Sequence, residues 1–298
     1  MKIRIIGVPI DLGADRRGVD MGPSAIRYAS LQSELEDLGL VVQDLGNIEV
    51  PVPEARRVVD SRQKYLPEID RISEKLASLV ENAFLDGYIP LVLGGDHSIA
   101  IGALAGAAKV KHQLGLLWFD THGDCNTPET TPSGNIHGMS MAVSLGFGPE
   151  NLVKCGGFSP KVRPENTVLI GARNLDRRER ENIMRAGIHV FTMKEIDRLG
   201  MEDVVKKALA QATHGTNGVH LSFDLDVMDP SEAPGVGTPA RGGISYREAH
   251  LAMELLADSG VICSADFSEV NPILDIQNKT AEMAVGLIAS VFGKRIMP

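Results

Sequence analysis

Short apolar runs alternate with longer helical stretches from one end of this chain to the other, and that rhythm restricts the fold more than any other feature. Eight runs, near residues 2–7, 41–45, 89–93, 114–119, 167–171, 188–191, 219–223 and 261–267, read as buried strands. Several carry the branched and aromatic residues that such strands favour. Helical patterns fill the gaps near 22–38, 65–86, 98–111, 137–145, 177–186, 202–213, 245–258 and 278–292. Gly22-Pro23-Ser24 opens the first of these, with proline where a first turn tolerates it, and Gly39 ends it. Regular alternation of this kind predicts a parallel sheet with helices on both faces. No repeat, low-complexity tract or linker interrupts it, so residues 1–298 are expected to form one domain.

The chemistry is concentrated where strands are expected to end. Asp120-Thr121-His122-Gly123-Asp124 follows one apolar run, and Asp224-Leu225-Asp226 follows another. Alternate residues of an extended segment point the same way, so Asp120, His122 and Asp124 can converge, as can Asp224 and Asp226. Gly94-Gly95-Asp96-His97 closes a third run and Glu269 a fourth. In a parallel sheet the carboxyl ends of the strands open onto one rim, where ligands bind. Singly, each residue has an ordinary explanation as a cap, turn or hydrogen-bonded histidine; jointly, they do not.

Carboxylates gathered this closely are costly to bury unless a cation compensates them. Two imidazoles, many carboxylate oxygens and no placed thiolate suit manganese, with cobalt, iron or zinc as other possibilities. Six candidate ligands, His97, Asp120, His122, Asp124, Asp224 and Asp226, exceed what one ion needs, so two ions are the natural count. Two metals about 3.5 to 4 Å apart can share a water and lower its pKa, which makes metal-assisted hydrolysis the leading reaction class. His137, at the far end of the loop after Asp124, is the candidate acid, since an imidazole passes protons near neutral pH. His112, His189, His214, His220 and His250 have no acidic neighbour at ligand spacing and read as surface or packing residues.

Composition excludes other classes. Lys plus Arg number 30 against 39 Asp plus Glu, for a net charge of -9 with no basic block, so nucleic acid is not an expected partner. Cys125, Cys155 and Cys263 are odd in number and lack CxxC spacing, which fits a reducing compartment. The N-terminal run carries a charge and turns polar by Asp11, unlike a secretory signal. No apolar run approaches the roughly 18 residues of a membrane span. A soluble, cytoplasmic protein acting on small molecules is expected.

Taken together, Gly94-Gly95-Asp96-His97, Asp120-x-His122-x-Asp124, Ser222-x-Asp224-x-Asp226-x-x-Asp229-Pro230 and Glu269-Val-Asn-Pro272 resemble the arginase (ureohydrolase) family, in order and along essentially the whole chain. The resemblance implies a three-layer α/β sandwich around an eight-stranded parallel sheet, with two manganese ions per chain. One ion would be held by His97, Asp120, Asp124 and Asp224, the other by His122, Asp120, Asp224 and Asp226. It further implies attack of a metal-bridging hydroxide on the guanidinium carbon of L-arginine, releasing L-ornithine and urea. Asp124 would orient the hydroxide, His137 would shuttle protons, and Glu269 would pair with the guanidinium, whose planar donors a carboxylate matches.

The same resemblance assigns the amino-acid end of the substrate to Asn126, Thr131, Ser133 and Asn135 on the carboxylate side, and to Asp176 and Glu179 near the ammonium. Thr238 is carried over as a further substrate-side residue. The segment Arg16 to Pro23 and the wording Ser133-Gly134-Asn135-Ile136-His137-Gly138 are similar to bacterial arginases rather than agmatinases. An agmatinase, another guanidino hydrolase, and a binding protein without turnover are the alternatives. Family members form trimers or hexamers, which makes a homo-oligomer the expectation; Arg247-Glu248 reads as an exposed surface pair, with an intersubunit ion pair as its alternative. Three departures stand out: Thr121 where the family has Ala, Val227 where it has Gly, and Asn174 where Ser or Asp is common. None of them is expected to touch a ligand.

Overall fold

The computed structural model describes residues 1–295 and Met297. The chain opens with β1 (Lys2–Val8), α1 (Gly22–Tyr28), α2 (Leu31–Asp37), β2 (Val41–Asn47), α3 (Leu66–Leu85), β3 (Ile89–Gly94) and α4 (Ile99–Lys111). It continues through β4 (Gly115–Phe119), α5 (Ser140–Ser144), α6 (Glu150–Val153), β5 (Thr167–Ala172), α7 (Arg177–Ala186) and β6 (His189–Thr192). The last part holds α8 (Met193–Leu199), α9 (Met201–Ala212), β7 (Val219–Asp224), α10 (Tyr246–Ser259), β8 (Ile262–Ser268) and α11 (Lys279–Val291). The eight strands are parallel and pair in the order β2-β1-β3-β8-β7-β4-β5-β6.

Strand side chains alternate between two apolar layers, as period-2 geometry requires. Leu117 and Phe119 face one layer with α1, α2 and α8 to α11; Leu116 and Trp118 face the other with α3, α4 and α5. These are the three layers that the strand and helix pattern predicted. Across the centre of the sheet, Phe119 pairs with Phe223 and Phe223 with Phe267 in register. Their rings stack at 5.4 and 5.3 Å. Each such contact contributes about 0.5–1.5 kcal/mol beyond its buried area. Asp120 and Asp224 directly follow two of these phenylalanines, so the aromatic row also sets where the carboxylates emerge.

Three helical expectations need correction. The stretch near 22–38 is two helices, because Ser30 adopts a left-handed conformation (φ 66°). In one continuous helix Ile26 and Leu31 would lie about 140° apart around the axis, whereas the break lets both bury in the same layer. The stretch near 137–145 is a 3-10 turn over Ile136–Met139 followed by α5. Helices α6 and α8 had no counterpart in the pattern; the signal of α8 is the capping box formed by Thr192 and Glu195. Glu248 likewise belongs to a capping box, with Ser245.

Phe223 is fully buried at the middle of the aromatic row. Phe223→Ala is expected to cost about 3–5 kcal/mol, read as a lower urea midpoint with an unchanged slope.

Candidate metal centre

Strands β3, β8, β7 and β4 lie side by side, and their carboxyl ends bring the four sequence clusters onto one rim. After β3, the chain must pass close beneath the N-terminal loop: a Cβ on Gly95 would stand 1.8 Å from the Ile10 carbonyl oxygen. Glycine is required there. Asp96 then accepts hydrogen bonds from the Gly13 and Ala14 amides, at 2.7 and 3.2 Å, and pins that loop over the site. His97 follows at the entry to α4.

His97 Nδ1 stands 3.2 Å from one carboxylate oxygen of each of Asp120, Asp124 and Asp224. A second group forms beside it, with His122 Nδ1 at 3.1 Å from Asp226 Oδ2 and 3.5 Å from Asp120 Oδ1. Asp120 therefore faces both groups, one oxygen to each, as a bridging ligand would. Asp120, Asp124, Asp224 and Asp226 are all buried, while His122 keeps some exposure. The Oδ2 of Asp124 is buried without a hydrogen-bond partner. Buried acceptors without donors call for a cation, and the donor set of imidazole nitrogen and carboxylate oxygen matches one. The residues present fit the group.

The titration behaviour carries the same demand for positive charge. Burial and then the neighbouring Asp226 and Asp120 push Asp224 well above the carboxylate range. Burial and Asp120 push Asp124 up to about 6. Burial works against a proton on His97, yet the surrounding carboxylates of Asp120, Asp124 and Asp224 outweigh it and raise the imidazole. His122 rises in the same way, against burial, through Asp226 and Asp120. Asp120 alone is lowered, because its bonds to His122 and His97 overcome burial.

Glu269 lies beside the cluster, fully buried and at a left-handed backbone position (φ 67°). Asp124 is left-handed as well (φ 47°). Such conformations cost of order 1–3 kcal/mol and persist where the surroundings enforce them, commonly at functional sites. Glu269 Oε1 accepts from the His97 amide and contacts His137 Nδ1, both at 3.0 Å, and Oε2 has no partner. Burial disfavours a charged His137, but the bond to Glu269 raises it to about 9.

The loop residues assigned to the amino-acid end are only partly free. Asp176 caps α7, accepts from Asn126 Nδ2 at 2.8 Å, and lies next to the buried Glu179. Burial and then Asp124 push Glu179 up to about 8. Thr131 Oγ1 accepts from the Gly134 amide, and Ser133 is exposed. Asn135 is occupied at both ends of its amide, by Lys64 Nζ at 3.1 Å and the Ala14 carbonyl at 2.8 Å, so it ties loops together. Thr238 Oγ1 donates to Asp226 Oδ2 at 2.9 Å, which places it against a candidate ligand.

Two departures do touch candidate ligands, contrary to expectation. The Thr121 hydroxyl donates to the Asp226 carbonyl at 2.7 Å, and the Asn174 amide lies 3.4 Å from His122 Nε2. Val227 instead packs over Gly171, where a Cβ would fall 2.4 Å from its Cγ2. His220 is no loose packing residue: it is buried between Asp266 and Ser264. Trp118, which stacks on His97 at 4.1 Å and donates to Asp120 Oδ2, was also missed, as was Arg173, which donates to the backbone carbonyls of Asp226, Val227 and Met228. Their shared signal is a polar or amphipathic residue inside or just after an apolar strand.

A parallel α/β sheet that gathers two histidines and four aspartates at one rim defines a metal-binding hydrolase. Among known proteins, the arginase family model matches residues 1–293. An arginase of Brevibacillus brevis is 56% identical over 293 residues, spanning 98% of each chain. One from Bacillus subtilis is also 56% identical, spanning 99% of each. The solved arginase of Bacillus caldovelox superposes with a TM-score of 0.97 at 55% identity, over 99% of both chains. The chain belongs to the arginase family.

The raised groups define a pH dependence for the metal-free protein. Asp124 (about 6), Glu179 (about 8) and His137 (about 9) each hold a proton more tightly folded than unfolded. Stability they confer is complete at acid pH and is lost as pH rises through those values. The lowered Asp120 acts oppositely, below the ordinary carboxylate value. Chelator-treated protein should therefore melt at lower temperature at pH 9 than at pH 6, and Mn2+ should raise Tm more at pH 9. A metal-free Tm that climbs over that interval contradicts this account.

Proposed function

We propose that this protein hydrolyses L-arginine to L-ornithine and urea as one domain, using two manganese ions held by His97, Asp120, His122, Asp124, Asp224 and Asp226. The observation that carries the reading is Glu269: a fully buried carboxylate beside the metal-ligand cluster, with one oxygen fixed and the other free. An isolated buried carboxylate is expensive, and a planar guanidinium is the partner that satisfies it. Family membership and the outer residues Asp176 and Glu179 support arginine as the source of that guanidinium.

When bound, the ions supply Lewis acidity, bringing the pKa of water towards neutrality. The protein's own residues do the rest. Glu269 Oε2 takes the guanidinium and fixes the carbon under attack. Asp124 Oδ2, buried and without a hydrogen-bond partner, accepts from the attacking water and aims it. His137 holds a proton at neutral pH, its Nδ1–H donating to Glu269 Oε1, and so has one to give the departing amine. The rise of Glu179 by burial is a cost that an incoming α-ammonium would relieve. Asn126, Thr131, Ser133, Asn135 and Thr238 complete the substrate side, with Asn135 also tied to Lys64 and Ala14.

We place the enzyme in the cytoplasm and as a trimer or hexamer, a reading supported by its family.

Incubation of the Mn2+-loaded protein with arginine and with agmatine should yield urea mainly from arginine. Faster turnover of agmatine would move the assignment to an agmatinase, and no urea from either would reject catalysis. His137→Ala should lower kcat about 100- to 10,000-fold while retaining both ions; loss of an ion would show that His137 acts in binding.

A further inference from the structure

Strands β7 and β8 carry polar residues at alternate positions: His220, Ser222 and Asp224 on one, Ser264, Asp266 and Ser268 on the other. The register sets His220 against Ser264, Ser222 against Asp266 and Asp224 against Ser268. All six are buried in the middle of the sheet. Polar groups in such a place destabilise a fold unless they satisfy one another. Four of them, Ser222, Asp266, His220 and Ser264, form a chain that ends on His97, while the Ser268 hydroxyl has no partner among the described residues. His97 Nε2 lies 2.8 Å from Ser222 Oγ, which donates to Asp266 Oδ1 at 2.9 Å. His220 Nε2 lies 2.6 Å from Asp266 Oδ2, and its Nδ1 is 2.7 Å from Ser264 Oγ.

We propose that Asp266, backed by His220, is a positioning residue that gives this chain one direction and thereby presents His97 Nδ1 to the cation as a lone pair. The inference rests on the reading of His97 as a metal ligand. A hydroxyl has a single proton, and a carboxylate only accepts. With Asp266 taking the Ser222 proton, Ser222 can only accept from His97, so that hydrogen sits on Nε2. A cation that displaces the other proton, the one Nδ1 shares with the oxygens of Asp120, Asp124 and Asp224, then meets a bare lone pair. The Asp266 charge, passed through Ser222, also makes the imidazole a stronger donor to a cation.

Trp118 stacks on the His97 ring at 4.1 Å and holds its plane, but it does not set which nitrogen carries the hydrogen. The other histidine has no equivalent chain among the described residues: His122 Nε2 meets the neutral amide of Asn174, at 3.4 Å. Loss of Asp266 should consequently weaken one ion and spare the other. A carboxamide at 266 removes the charge, and it also allows Ser222 to turn its proton towards His97. Either change lowers the donor strength of Nδ1.

Titration of Mn2+ into chelator-stripped protein, with calorimetry for affinity and electron paramagnetic resonance to separate single from paired ions, tests this. Asp266→Asn and Ser222→Ala should each weaken one of the two ions on the order of 10- to 100-fold and leave the other nearly unchanged. Met253→Ala, a cavity in the α10 core away from the chain, controls for lost stability and should keep both affinities. If Asp266→Asn does not fold, Ser222→Ala carries the test. Wild-type affinity for both ions in the folded variants overturns the inference, and so does an equal loss in Met253→Ala. Failure of the wild-type protein to bind Mn2+ would reject the ligand reading itself, a separate outcome.

Discussion

Mutual repulsion among Asp120, Asp124, Asp224 and Asp226 is the constraint on which the rest of the structure depends. Four buried carboxylates, with donor oxygens drawn around two imidazole nitrogens 3.1 to 3.5 Å away, are tolerable only with positive charge between them. The histidines supply it in part, which is why both are held towards their protonated forms. A cation supplies it fully and leaves the imidazoles free to act as ligands. Folding and metal binding are accordingly linked.

The sheet is built to hold that arrangement against its own repulsion. Adjacent parallel strands end at one level because Phe119, Phe223 and Phe267 lock the register. The Asp226 segment is fastened from outside by Arg173, whose guanidinium donates to three successive carbonyls, and from inside by Thr121 and Thr238. Left-handed backbone at Asp124 and Glu269 is tolerable for the same reason: the surrounding elements leave no other path. Rigid support of this kind suits a site whose catalysis depends on aiming a small nucleophile at a planar carbon.

Much of this was legible in the chain. Short apolar runs located all eight strands to within one or two residues, because a strand buried on both faces admits few polar side chains. The metal-ligand cluster was legible because alternate residues at a strand end must share a direction. Legibility failed where the deciding partner is remote in sequence. Ser30 looks like any helix residue until Leu31 must reach the layer that holds Ile26. His220 seemed to lack an acidic neighbour because its partner, Asp266, is 46 residues away. The ties of Asn135 to Lys64 and Ala14, 71 and 121 residues away, are likewise invisible in the local pattern.

What the sequence determined by itself was the fold class, the ligand types and the rim on which they meet, since these follow from local periodicity and the chemistry of each side chain. Tertiary structure alone decided which nitrogen of each histidine faces the carboxylates, which oxygen of Asp120 faces which group, and that one oxygen of Glu269 is spent while the other is free. Strand order explains the division. The clusters come from strands third, fourth, seventh and eighth along the chain, yet they stand next to one another in the sheet as β3-β8-β7-β4. Distances of 3 Å between groups more than a hundred residues apart are set by that pairing, which no local pattern encodes.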